Sequence, residues 1–362
     1  MDRITAIGVM SGTSVDGLDI VAAEFSLEKE QWNYKLLKCD SIAYPDLLKQ
    51  KLINSINFSG EDLIYLDNEL GNYIGEKVQQ FCKNERFKPE IVASHGHTVF
   101  HQPEKGITCQ IGDGQTINHI TKLTVINDFR KIDTLRGGQG APLVPVGDKL
   151  LFGDFNFCLN IGGFSNISFD TVENIRIAYD ISPANILLNY LTREVGKDYD
   201  DKGSMARKGV IIEDLFQRLN KIGYYNQSHP KSLGLEWVRK SIFPILPVQK
   251  RNIHDILRTC VEHIAYQINF SIKREIITHF KGKKCKILVT GGGVFNSFLI
   301  DRMKNMATDY SYVLPDLEII NFKEALIFAF LGVLRYRGDI NIWRSVTGAD
   351  KDSSAGTIHF DH

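Results

Sequence analysis

Three times in this 362-residue chain a short apolar, β-like run ends in a turn of glycine and small polar residues. The first run, residues 4–10, leads into Ser11, Gly12, Thr13, Ser14, Val15, Asp16, Gly17, Leu18 and Asp19. The second, residues 155–161, leads into Gly162, Gly163, Phe164, Ser165 and Asn166, and the third, KILVT, into Gly291, Gly292 and Gly293. Such turns bare backbone N–H groups and let the oxygens of a phosphate come close. One of them alone is usually a tight turn and nothing more, because short motifs match by accident. Three in sequence, two of them closing the opening runs of separate halves, fit a clamp in which each half holds one side of a triphosphate. The better-known nucleotide motifs are absent. There is no GxxxxGK[ST] sequence, and neither GDG at 112–114 nor GGG at 291–293 completes GxGxxG.

The organisation around these turns is layered α/β. Residues 4–10, IVAAEFS and YKLLKCDSIAY read as an antiparallel meander. Residues 61–84 then place Leu63, Ile64, Leu66, Leu70, Ile74 and Val78 at helical spacing, and EIVASHG and LTVIND read as strands. The second half repeats the pattern: the apolar run ending in GGFSN, the short strands ISFDTV and IRIAYDI, then the helix PANILLNYLTREVG. Residues 200–248 are rich in turn residues and predict inserted helices and loops. Residues 254–280 predict a long amphipathic helix leading into KILVTGG, and residues 323–336 an apolar helix returning toward the first half. At this length two domains with a cleft between them are expected. The first is placed at residues 1–128 with 335–362 returning to it, and the second at residues 129–334.

Composition narrows the functional classes. Lys plus Arg and Asp plus Glu both number 43, so the whole molecule has no pull toward nucleic acid or an anionic membrane, and any anion site must be local. Cysteines at 39, 82, 109, 158, 260 and 285 form no CxxC pair, no secretory leader precedes them, and no apolar stretch reaches the length of a membrane span. Reduced thiols and a cytoplasmic, soluble protein are the expectation. No short repeat suggests a solenoid or propeller.

Seven segments carry a resemblance that spans almost the whole chain in order. They are MSGTSVDGLDI at 10–20, SHGHTVFHQP at 94–103, NDFRKIDTLRGGQGAPLVP at 127–145, LNIGGFSNIS at 159–168, YDISPANILLN at 179–189, VTGGGVFN at 289–296 and KEALIFAFLG at 323–332. Together they resemble the anhydro-N-acetylmuramic acid kinase family of the sugar kinase, heat-shock chaperone and actin superfamily. The resemblance implies two ribonuclease H-like domains with an interdomain nucleotide cleft, the actin-like ATPase fold. It implies ATP and Mg²⁺ as cofactors and a small-molecule sugar as partner. The implied reaction is conversion of 1,6-anhydro-N-acetylmuramic acid, with ATP and water, into N-acetylmuramic acid 6-phosphate. Enzyme habit suggests a homodimer. One departure is that the segment after Asp180 reads ISPAN where family members often carry Thr and Gly.

Such a reaction needs a carboxylate to deprotonate water and a separate electrostatic clamp for phosphate. Asp180 is the expected base: it ends a strand immediately before a helix, where cleft residues of layered α/β domains lie, and the resemblance points to it too. A helix N-terminal aspartate would sit comfortably there for purely structural reasons. Glu324, at the start of the late helix, is the expected substrate-orienting carboxylate. Asp16 is the expected Mg²⁺ ligand, through bound waters, with Asp19 beside it in the same turn. Arg130 can meet the lactyl carboxylate of the substrate through paired N–H donors, or make an ordinary surface ion pair. Ser94 and His95 are expected substrate contacts.

Two other functions fit parts of the pattern. His95, His97 and His101 share parity, would face one side of an extended strand, and with Asp113 or Asp128 would suggest a metallohydrolase. An ATP-driven binding module of the chaperone or filament kind would use the same glycine turns without a sugar.

Overall fold

The computed structural model describes residues 3–12, 15, 17–248 and 251–360. The chain divides into two compact units, residues 1–152 with 322–362, and residues 153–321.

In the first unit, β1 (Arg3–Ser11), β2 (Gly17–Glu28) and β3 (Gln31–Ala43) form the expected antiparallel meander. β4 (Ile91–Ser94) lies parallel to β1. A separate hairpin of β5 (His97–Gln102) and β6 (Ile107–Ile111) follows, and then β7 (Thr124–Asn127), parallel to β4. The second unit holds β8 (Phe157–Ile161), β9 (Phe164–Asp170), β10 (Arg176–Pro183), β11 (Cys285–Thr290) and β12 (Tyr310–Val313). The chain closes the first sheet with β13 (Thr357–His359), antiparallel to β7.

The sheet orders are β3-β2-β1-β4-β7-β13 and β10-β9-β8-β11-β12. In each, an antiparallel meander is extended from its first strand by two parallel strands. That is the ribonuclease H-like order, present twice, as the actin-like ATPase fold requires.

β1 reads as a nearly unbroken apolar run because both faces of its sheet are covered. On one side lies helix Gly60–Cys82, capped by Ser59, whose Oγ accepts from the Asp62 amide. It buries Leu66, Leu70, Ile74 and Val78 at successive turns. Ile64, which the spacing placed on the same face, instead points outward and is 65% exposed. On the other side helix Leu317–Arg337 comes so close that glycine is required. A Cβ on Gly8 would stand 2.8 Å from the Ala329 amide nitrogen, and one on Gly332 would stand 2.5 Å from the Ala93 Cβ.

The second unit is organised by helix Ile253–His279, expected to be amphipathic but enclosed on nearly every side along its first five turns. Several of its buried polar groups are satisfied within the unit. Glu262 meets Arg258 and Arg302, His263 meets Tyr225 and Asn220, and Asn269 accepts from Tyr310 and Tyr312.

The edges of the units differ from the expected positions at 128/129 and 334/335. Residues 129–152 and 322–334 pack in the first unit. Ile327 occupies the space a side chain on Gly147 would need, and Lys323 Nζ lies 2.9 Å from Asp148 Oδ1 in an almost fully buried ion pair. A buried pair of this kind is strongly destabilised when either partner is lost, so the two segments stay together. Among the described residues no helix is long and apolar enough to cross a membrane.

Gly8→Ala should lower the unfolding free energy by roughly 1–3 kcal/mol or more through overpacking. Gly60→Ala, at an open helix start with nothing near, should change it by less than about 0.5 kcal/mol. Denaturant midpoints measure both; equal effects would contradict the close helix-to-sheet approach.

Candidate active site

The glycine turn after β1 lies at the closed end of the β1-β2 hairpin. Thr13, Ser14 and Asp16 lie outside the described residues, so the expected metal ligand has no structural account here. Of the rest, the Val15 amide donates to the Gly12 carbonyl at 3.1 Å, and Val15 adopts a left-handed φ of 54°. That conformation is strained for a β-branched residue, and strain of this sort concentrates at functional turns. Gly17 serves the protein rather than a ligand, since a Cβ there would stand 2.6 Å from the Ile42 carbonyl oxygen. Leu18 is fully buried in the core. Asp19 is half-buried beside Ser41, and burial raises its carboxyl above the ordinary range while the Ser41 hydrogen bond opposes the rise.

His95 and Arg130 come together as a unit. The His95 Nδ1–H donates to the Gly96 carbonyl at 2.8 Å, which leaves Nε2 as an acceptor. Arg130 donates to that nitrogen twice, from Nε at 3.1 Å and from NH2 at 2.8 Å, and its NH1 donates to the Gly140 carbonyl at 2.8 Å. Burial, with the guanidinium beside it, pushes the His95 imidazole well below its usual range, so it stays neutral. Its ring rests on Phe328 at 4.7 Å between centroids.

All these acceptors are neutral. Arg130 makes no ion pair among the described residues and keeps two N–H groups uncommitted. Among the described residues the surface ion pair that an arginine here could have made is not formed. The nearest carboxylate in charge terms is Glu324, whose pKa burial raises while Arg130 and Lys323 pull it down and Asp19 adds to the rise. Glu324 itself remains solvent-exposed. The loop under Arg130 is fixed by Asp133, fully buried, which accepts from the Gly140 amide and the Thr347 hydroxyl, both at 2.7 Å. Ser94, expected as a contact, is fully buried, and its Oγ finds no partner among the described residues.

The three histidines do not face one side. Gly96, at φ 70°, breaks the extended path between His95 and His97, and a register shift between Thr98 and Phe100 breaks the alternation again. His97 turns inward to Ser11 at 3.5 Å, while His101 is exposed and bonds Thr108 at 3.2 Å. Among the described residues no three His, Cys, Asp or Glu side chains converge as a metal site. The guanidinium of Arg130 occupies the place a metal would need at His95, and the metallohydrolase expectation falls.

In the second unit the other two glycine turns meet. β8 and β11 are parallel neighbours, so their C-terminal turns are adjacent. Gly291, at φ 87°, and Gly293 would each collide with Ile161 if they carried a Cβ; these two let the turns pack together. Gly163 and Gly292 have no atom closer than 3.8 Å to where a Cβ would stand, and both are exposed. With Gly162, they present bare backbone on the open side. The Gly162 and Gly163 carbonyls accept from Asn185 and from Ala184 and Ile186, tying the turn to the start of helix Asn185–Arg193.

Asp180 lies in β10 beside a register shift between Asp180 and Ser182. Its Oδ2 accepts the Leu233 amide at 2.9 Å, and no described residue donates to Oδ1. Burial raises the carboxyl to about 6, against the Leu233 N–H, which lowers it. That value suits a base at neutral pH. Leu233, with Tyr224 and Lys231 nearby, comes from the 200–248 stretch, whose segments KGSMARKG and HPKSLGLEW are family-like but carry no spacing that assigns a role to an individual residue.

Bare-backbone glycine turns joined to carboxylates of contrasting environment are the equipment of a phosphotransferase on the actin-like ATPase fold. The family described as Anhydro-N-acetylmuramic acid kinase matches residues 4–361. The anhydro-N-acetylmuramic acid kinase of Mannheimia succiniciproducens is 34% identical over 97% of this chain and 98% of its own. The protein of that name from Actinobacillus pleuropneumoniae serotype 7 is 32% identical over 99% and 100%, and the one from Bacillus cereus 28% over 98% and 98%. The chain belongs to the anhydro-N-acetylmuramic acid kinase family.

The His95 geometry predicts that ¹⁵N imidazole shifts report the neutral Nδ1–H tautomer from pH 8 down to about pH 5. A titration near its ordinary value of about 6.5 would contradict the arrangement.

Proposed function

We propose that this protein transfers the γ-phosphate of ATP to O6 of 1,6-anhydro-N-acetylmuramic acid while water opens the anhydro bridge. The products are N-acetylmuramic acid 6-phosphate and ADP, and the reaction serves recycling of cell-wall sugars in the cytoplasm. The observation that carries this reading is the family match over residues 4–361.

The chemistry divides between named groups. Asp180 accepts a proton from water through the oxygen that the Leu233 amide leaves open. The water oxygen bonds to C1, the C1–O6 bond breaks, and O6 bonds to the γ-phosphorus as its bond to the ADP oxygen breaks. Asp180 then gives its proton to solvent. Attack opposite the departing O6 predicts inversion at C1. The two free N–H groups of Arg130 suit the lactyl carboxylate, because a charged donor held only by neutral acceptors keeps its charge for a ligand. Glu324 orients the sugar, with His95 and Ser94 as supports of that wall. Gly12, Gly162, Gly163 and Gly292 offer backbone to the nucleotide phosphates, and Gly291 and Gly293 hold the turns in register.

A divalent cation fits the first unit: the half-buried Asp19 carboxyl raises that of Glu324, and a cation would relieve both. Asp16 and Asp19 would hold Mg²⁺ there through its waters, and the ion would neutralise charge on the phosphates.

Asp180→Asn should lower formation of the sugar phosphate by about 10²–10⁴-fold, the usual contribution of a general base. The wild-type kcat should fall below an acid limb near the Asp180 value of about 6, since the raised carboxyl is protonated and inactive below it. Arg130→Lys should raise KM for the sugar roughly ten- to hundredfold and leave KM for ATP within about twofold. Steady-state assays of the phosphorylated sugar read all three. Full activity in Asp180→Asn would remove the assigned base.

A further inference from the structure

Three of the four polar groups of Asp180 are tied to one distant segment. Its amide donates to the Lys231 carbonyl at 3.2 Å, its carbonyl accepts the Tyr224 hydroxyl at 2.7 Å, and its Oδ2 accepts the Leu233 amide at 2.9 Å. The register shift beside Asp180 is what takes it partly out of the ladder and leaves these groups to residues 224–233.

The segment is itself pinned. Lys231 Nζ donates to the Tyr224 carbonyl at 3.3 Å and lies 4.6 Å from the Tyr224 ring centroid and 5.4 Å from that of Tyr179. Tyr179 donates to Glu275 Oε1 at 2.8 Å, Arg274 NH1 donates to the Gln227 carbonyl at 3.4 Å, and His229 stacks on Tyr179. The Tyr224 ring also packs on Trp237, at 5.2 Å between centroids.

We infer that residues 224–233 are a strap that positions the Asp180 carboxylate for water, with Tyr224 and Lys231 as its positioning residues. This deepens the reading of Asp180 as the base and rests on it. Tyr224 fixes the Asp180 backbone, so that the Leu233 N–H meets one carboxylate oxygen and the other is left for water. Lys231, clasped by two aromatic faces, holds Tyr224 in place. The titratable groups facing this corner are Tyr224, Lys231 and His229 of the strap, Tyr179 of β10, and Arg274 and Glu275 of helix Ile253–His279. The direct influences on Asp180 are burial and the Leu233 N–H. Loosening the strap therefore weakens the one bond that favours the carboxylate.

The test is the kcat–pH profile of Tyr224→Phe and Lys231→Gln beside wild type and Asp180→Asn. Tyr224→Phe should lower kcat about tenfold, leave KM for the sugar within about twofold, and move the acid limb up by on the order of one pH unit. Lys231→Gln should move it the same way by less. A strap that merely supports folding would reduce the active fraction and leave the limb in place, so an unmoved limb in both variants overturns the proposal. Asp180→Asn separates the two claims. If it is inactive while the limbs do not move, only the strap fails; if it is active, the base assignment fails and the strap with it.

Discussion

The proposed binding wall of the first unit depends on an arginine bonded, among the described residues, only to neutral partners. Arg130 could not keep its charge available if His95 were an imidazolium or if a carboxylate stood in the fork. Both conditions are met by burial. His95 gives its one N–H to the Gly96 carbonyl, presents a lone pair to the guanidinium, and is held neutral by the same desolvation and by the cation itself. Glu324 stays near enough to feel the charge without closing on it. The aromatic floor under His95, the buried Asp133 beneath the Gly140 loop and the close approach of helix Leu317–Arg337 to β1 all hold that arrangement still. Desolvating a cation without a counter-ion is costly, and the anionic substrate proposed for Arg130 would offset that cost.

The second unit addresses the complementary demand of the proposed reaction, a carboxylate basic enough to take a proton from water near neutral pH. Here burial raises Asp180 and a single amide hydrogen bond limits the rise. The two repeats share a sheet order and diverge in what they place beside it. The first carries Arg130 with the Asp19 and Glu324 carboxylates, and the second carries the proposed base and two interlocked glycine turns. The use of one fold for both explains why glycine turns recur while the chemistry-bearing residues do not.

Much of this was legible in the sequence, and the exceptions have physical causes. The meanders, helix Gly60–Cys82 and the glycine turns follow from local periodicity and turn chemistry, which need no knowledge of distant residues. Asp180 was legible from the resemblance, although it lies inside β10, which runs on to Pro183, and not at the strand's end as expected. Its partners were not, because Tyr224, Lys231 and Leu233 lie more than forty positions away in a segment without periodicity. The histidine parity misled because one left-handed glycine and one bulge reset the alternation within seven residues. Ile64 fitted the helical spacing yet faces outward, since an apolar stripe fixes a face only to within about a quarter turn. The edges of the units were misplaced because helix Leu317–Arg337 runs across one of them, and no composition change marks a boundary inside a continuous helix.

The central claim is that water adds to C1 of the sugar in the same turnover that phosphorylates O6. Incubation of the protein with Mg-ATP and 1,6-anhydro-N-acetylmuramic acid in ¹⁸O-labelled water, with mass analysis of the sugar before C1 exchange, tests it directly. The account predicts one ¹⁸O at C1, none in the transferred phosphate, and one ADP per sugar phosphate. Label in inorganic phosphate with the anhydro sugar left intact would contradict it, because the protein would then be hydrolysing ATP without opening the bridge.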